Sequence, residues 1–238
     1  MAVSRKLLSR LQRAADRSLD LPALRGLDQV DWKALEHAHG KATDVPVLLR
    51  AAASDEPDAR DLAFELLPET VWHQGTVYSA TAHVVPFLYR LLEADETPDK
   101  QQVALLLANI AGCHLATMPD DATVADEETA ATRRAVAAQL DLLFPYIRDN
   151  EWGVRQSVAW AIGRFPEIVV RLLPRLEAAY RKESDKHIRL ALAWAIGQSP
   201  EGAAEVLPEL ETALRDDPDP WYRQAVQKVI ERINHAAA

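Results

Sequence analysis

The sequence predicts an all-α fold, a right-handed α-solenoid of about five helix pairs with N-terminal capping helices. Three observations predict it. Residues 154–163 read VRQSVAWAIG and residues 188–197 read IRLALAWAIG, 34 residues apart and identical at six of ten positions. A return at that distance marks a helical repeat array, in which each unit covers its neighbours and the core runs along a line. Five apolar runs carry a proline: VPVLL at Pro46, VVPFL at Pro86, LFPYI at Pro145, LLPRL at Pro174 and VLPEL at Pro208. Proline is accepted in a first helical turn and bends a helix further in, so prolines in like company are a repeat signature. Polar or proline turns follow these runs: Asp55-Glu56-Pro57, Glu96-Thr97-Pro98, Asp149-Asn150-Glu151, Ser184-Asp185-Lys186 and Asp216-Asp217-Pro218. Their side chains suit the exposed N–H groups of a helix start.

Taken in order, helices are expected near 3–17 and 29–38. The first has Leu7, Leu8, Leu11 and Ala15 on one side and basic residues elsewhere. Five pairs follow at 42–68, 80–112, 130–164, 167–198 and 201–233. The second helix of a pair stops at Pro68, Gly112, Gly163 or Gly197, residues that suit helix ends. Residues 1–40 are thus the capping helices and 41–238 the repeat array, continuous with the cap as one domain. Residues 114–128 (HLATMPDDATVADEE) are acidic without helical period and predict a loop.

The proline-bearing first helices and the second-helix starts Val154-Arg155, Ile188-Arg189 and Tyr222-Arg223, with Ala59-Arg60 a weaker copy, resemble the HEAT-repeat family. The resemblance covers about 190 residues and is most specific in the third and fourth pairs. It implies that Arg155, Arg189 and Arg223 pair with acidic residues of adjacent turns, and that the second helices line a concave groove.

Composition narrows the setting. The net charge of −9 disfavours nucleic acid as a partner, because binding it requires cations to neutralise phosphate. A local excess of Arg and Lys in 164–189 does not reverse that balance. No apolar run approaches the length of a membrane span. A single cysteine, Cys113, excludes an internal disulfide and fits a reducing, cytoplasmic compartment. The preponderance of arginine over lysine, with abundant alanine, points to a GC-rich bacterial genome.

On a wheel at 100° per residue, Val154, Val158, Ala161, Ile162 and Phe165 face the core, with Gln156, Trp160 and Gly163 opposite. Extending the register places Glu65, Asn109, Trp160, Trp194 and Lys228 in one row. Acid, amide, two indoles and an ammonium make a binding row: indoles supply contact area, a donor and a face for a cation. A second candidate is the linking segment 66–88, with Trp72, His73, Tyr78 and His83 as a ligand loop. Its stretch Trp72-His73-Gln74-Gly75-Thr76-Val77-Tyr78 is similar to segments of bacterial HEAT-repeat proteins.

Chemistry is faint. There is no HExxH, no paired cysteine and no His-Glu dipeptide, so neither a metal nor another cofactor is expected. Cys113 and His114 are adjacent, and adjacent side chains on a helix do not face each other. Arg155 and Trp194 resemble the groove arginine and tryptophan of HEAT-like alkylpurine DNA glycosylases. That resemblance implies a catalytic carboxylate from Asp120 or Asp121, although no tryptophan precedes them in HLATMPDD. An enzyme acting on a small cationic molecule between the indoles is a further alternative. The leading expectation is a non-catalytic scaffold that grips a protein or peptide partner in its groove, with an acidic surface that steers a basic partner.

Overall fold

Acids and prolines set the helix starts of this chain, and the computed structural model shows where each acts; it describes residues 5–17, 21–112 and 127–236. The described residues are helical apart from turns and two short hairpins, and they fall in two compact units. The first holds residues 5–111 and 127–139, the second Gly112 and residues 140–236.

In the first unit, helix α1 (Arg5–Arg17) packs on α2 (Val45–Ala52) and α3 (Pro57–Val71). Leu11, Ala14 and Ala15 are fully buried there, while Arg10 pairs with Asp58 and Arg17 with Glu56. The helix expected near 29–38 does not form. Two 3-10 turns, Pro22–Leu24 and Leu27–Gln29, lead into a hairpin, β1 (Glu36–His37) with β2 (Gly40–Lys41). Trp32 accounts for part of this: its buried indole turns back and donates to the Leu27 carbonyl at 2.8 Å, closing a tight turn where a helix would run on.

Helix α3 passes through Pro68 rather than stopping there. The proline forfeits one helical hydrogen bond. The fully or nearly buried flank of Leu67, Thr70 and Val71 keeps the helix running to the next hairpin. That hairpin pairs β3 (Trp72–His73) with β4 (Thr76–Val77). Its two-residue turn, Gln74 at φ 51° and Gly75 at φ 90°, has the left-handed backbone that matches strand twist. Helix α4 (Ser79–Glu93) follows, then α5 (Lys100–Ile110), capped by the Asp99 side chain. Helix α6 (Glu127–Ala137) packs on α4, and the buried Tyr89 hydroxyl donates to the Val136 carbonyl at 2.9 Å.

The first helix expected for the third pair is divided. Its start is α6, which belongs to the first unit. Its proline-bearing end, Leu140–Arg148, is a 3-10 helix in the second unit, packed on α7 (Trp152–Gly163). Pro145 lies inside this 3-10 segment and supplies no N–H to its ladder.

Helices α8 (Pro166–Tyr180), α9 (Lys186–Ile196), α10 (Pro200–Asp216) and α11 (Pro220–Ala236) complete this unit. Consecutive helices pair, α8 with α9 and α10 with α11, and the second helices stack in turn, α7 on α9 and α9 on α11. The stack is an all-α solenoid. The expected core face, Val154, Val158, Ala161, Ile162 and Phe165, is buried throughout.

Candidate functional site

The predicted groove row divides between the units. Glu65 on α3 is exposed and Asn109 on α5 half-buried in the first; Gln156 on α7 is half-buried and Lys228 on α11 exposed in the second. The two tryptophans do come side by side, with ring centroids 4.8 Å apart. They do not project from the stack: Trp160 is 6% exposed and Trp194 3%. A Cβ built on Gly163 would lie 2.2 Å from Cζ3 of Trp194, so the indole of one repeat lies against the bare backbone of the one before. The wheel divides a helix into core and groove, but a helix stacked between neighbours also buries its flanks. From Ser157 to Gly163, α7 is buried on every side. A helix buried all round carries apolar residues all round.

The arginines of the second helices share one contact. Arg155 donates to the Asp149 carbonyl at 2.8 Å, Arg189 to Glu183 at 3.4 Å and Arg223 to Asp217 at 2.5 Å. In the first unit Arg60 donates to Ser54 at 2.9 Å, again six residues back. Each guanidinium thus closes the turn that precedes its own helix. The expected pairing with an acid of the adjacent turn is seen for Arg155, whose Nε lies 2.8 Å from Glu183, whereas Arg189 pairs with Glu209 inside α10. Arg155 is therefore committed to its turn and to Glu183, and Trp194 is packed away. Asp120 and Asp121, like Cys113 and His114, lie outside the described residues.

Of the large apolar side chains that the second unit exposes, Leu142 and Val170 lie on first helices, and the two indoles lie at the starts of second helices. Trp152 is 57% exposed at the first position of α7, and Trp221 is 79% exposed at the second position of α11. His187, exposed at the second position of α9, occupies the edge between them in the stacking order. Each helix is entered through an acid–x–acid turn: Asp149-Asn150-Glu151, Glu183-Ser184-Asp185 and Asp217-Pro218-Asp219. The leading acid folds its own turn. Asp149 accepts from the Glu151 N–H at 2.8 Å, Glu183 from the Asp185 N–H at 3.0 Å and Asp217 from the Asp219 N–H at 2.9 Å.

Those bonds shape the charge. The N–H of Asp219 holds the Asp217 carboxyl below its ordinary range, and the N–H of Tyr222 does the same for Asp219. Lys186 Nζ lies 3.1 Å from Asp217 and 4.3 Å from the centre of the Tyr222 ring. Burial pushes the Tyr222 phenol up to about 12. The result is an edge of helix starts where each of two exposed indoles follows an acidic turn. The wheel missed it because first-turn residues lie beyond the helix stack. The repeated acid–x–acid spacing was a signal that could have located it.

The 66–88 segment is a fastening more than an open loop. Trp72 is buried, Tyr78 and Thr81 form a reciprocal cap on α4, and the Thr81 hydroxyl donates to the Val71 carbonyl at 2.5 Å. His73 is half-buried with Nδ1 3.1 Å from Glu69, and His83 is exposed on α4. Among the described residues no group of three or more His, Cys, Asp or Glu side chains is arranged to hold a metal ion. Nor is any described helix long and apolar enough to cross a membrane.

Residues 140–231 match the family model of HEAT repeats. The match covers the stacked pairs of the second unit and their arginine-closed turns. Among solved structures, an engineered protein is similar over 96% of this chain and 90% of its own, at 17% identity and a TM-score of 0.50. A designed armadillo repeat protein in complex with the peptide (KR)4 is similar over 97% of this chain and 91% of its own, at 17% identity and a TM-score of 0.46. At such identity the likeness to the engineered protein is one of fold. No curated protein matches the chain.

Proposed function

We propose that this chain is a non-catalytic repeat protein that binds a protein or peptide partner, and that the contact surface is the helix-start edge of the second unit. The carrying observation is the exposure of Trp152 and Trp221 on the first turns of stacked second helices. Tryptophan is the residue most enriched among interface anchors, and a soluble surface rarely leaves one 79% exposed. Asp149 and Glu151 precede Trp152 in the chain, Asp217 and Asp219 precede Trp221, and the whole chain carries −9. That balance selects a basic segment as the partner, drawn in by charge and held by indole contact. Cations also lie well on indole faces, which suits arginine in particular.

The test is a fluorescence titration with an arginine- and lysine-rich peptide. Binding should perturb tryptophan emission and weaken as salt rises. Trp152→Ala with Trp221→Ala should weaken it at least about tenfold while helicity is kept. A titration indifferent to that double substitution, or no binding at low salt, would remove the reading.

A further inference from the structure

We propose that the β1–β2 hairpin of the first unit is a proton-operated latch, held shut by His37 as an uncharged acceptor and released when that ring gains a second proton. The His37 ring is 4% exposed and both of its nitrogens are engaged. Nδ1 takes the backbone N–H of His39 at 2.9 Å, and Nε2 lies 2.8 Å from Asp44 Oδ1. A backbone N–H can only donate, so Nδ1 must offer a lone pair. Nε2 then carries the hydrogen and donates to the carboxylate. The geometry fixes one tautomer of a neutral imidazole. A proton added at Nδ1 would face the His39 N–H donor to donor, on a ring that is itself withdrawn from water.

The ring cannot take that proton and stay. Either the ring swings out or the Ala38–His39 turn peels away. The turn is a fastening: the Ala38 N–H donates to the Thr70 carbonyl near the end of α3, at 3.0 Å. The Glu36 N–H donates to the Ser79 hydroxyl at the start of α4, at 2.9 Å. Opening it therefore frees the junction of α3 and α4 from the strand that leads into α2.

Other ionisable groups lie close to the latch. The His39 ring lies 5.9 Å from that of His37 and 5.8 Å from that of His73, so three imidazoles form a chain. Imidazoles take up protons between about pH 8 and 5. Asp44 beside His37 and Glu69 beside His73 each offset one positive charge. Glu36 is already paired with Lys41 at 3.0 Å, and α4 brings the neutral Ser79 and the exposed His83.

Nitrogen-15 NMR of the full chain at about pH 8 reads the tautomer, and amide exchange, corrected for its intrinsic rate, reads the latch. His37 should be in the Nε2–H form. Protection of the His39 amide should fall about tenfold or more between pH 7.5 and 5.5. His37→Asn places Oδ1 where Nδ1 was, an acceptor that does not titrate, and its protection should stay level across that range. An Nδ1–H tautomer, level protection in the wild type, or an equal fall in the variant would overturn the latch. If the variant fails to fold, the tautomer and the wild-type exchange decide the matter.

Discussion

The two units join helix pairs in different ways. In the first, a two-residue hairpin precedes each first helix: β1–β2 leads into α2 and β3–β4 into α4. In the second, the chain passes from α7 to α8 through Arg164 and Phe165, and from α9 to α10 through residues 197–199, with Pro166 and Pro200 at the helix starts. A hairpin link brings polar side chains and backbone to the joint, and all of them need partners. Hence the bonds from His39 to His37, from Glu36 to Ser79 and from Thr81 to Val71. A tight link needs room instead: Gly163 lies under Trp194, and Gly197 under Ile233. One joint is specified by hydrogen bonds, the other by the absence of a Cβ. Burial keeps the indoles of α7 and α9 inside the second unit, while those at the helix starts remain outside.

The largest test of this contrast uses tryptophan. Trp160→Ala removes a ring packed on Trp194 and should cost about 3–5 kcal/mol in chemical denaturation. Trp221→Ala should cost under about 0.5 kcal/mol, because the ring is mostly in water. Comparable losses would mean that the two indoles are not divided into core and surface. Next come the glycines. Gly163→Ala sets its new methyl 2.2 Å from the Trp194 ring and 2.9 Å from the Ala195 backbone, so about 2–3 kcal/mol is expected from overpacking. Gly75→Ala forces a side chain to φ 90° in the hairpin turn and should cost about 1 kcal/mol through backbone strain. A reversed order would contradict the distinction between steric and conformational joints.

The repeat was legible because its signals are local. The 3.6-residue period of Val154, Val158, Ala161 and Ile162 marks a core face whatever lies around it. The acidic turns mark helix starts through their own backbone. The stacking of α7 on α9 followed from the 34-residue return. The position of Trp160 was not legible, because its surroundings belong to another repeat and a single wheel has no flank. The same register position is buried at 160 and 194 and exposed as Lys228 on α11, after which no further helix is described. The region of 29–38 was misread because Trp32 and the hairpin partner of Glu36 and His37 decide it, and neither leaves an apolar period.

The smallest effect is electrostatic and compares the turns directly. Ser54 in the first unit accepts the Glu56 N–H, as Asp217 accepts that of Asp219 in the second. Ser54 has no charge to lose, whereas Asp217 is held below its ordinary range by that N–H and by Lys186. A carboxyl whose folded value is depressed binds fewer protons folded than unfolded between the two values. Its contribution is therefore complete above the unfolded value, about 3.9, and is lost as pH falls through the folded one. Asp217→Ser rebuilds the first unit's turn in the second. The stability gap between wild type and variant, followed by denaturation from about pH 6 downward, should be constant at first and should narrow below about pH 4. Because the Lys186 partner of Asp217 is partly exposed, salt should shrink the gap at the upper end of that range. A gap that stays the same width down to pH 2 would show that the carboxylate acts there only as a neutral acceptor, no different in kind from the serine.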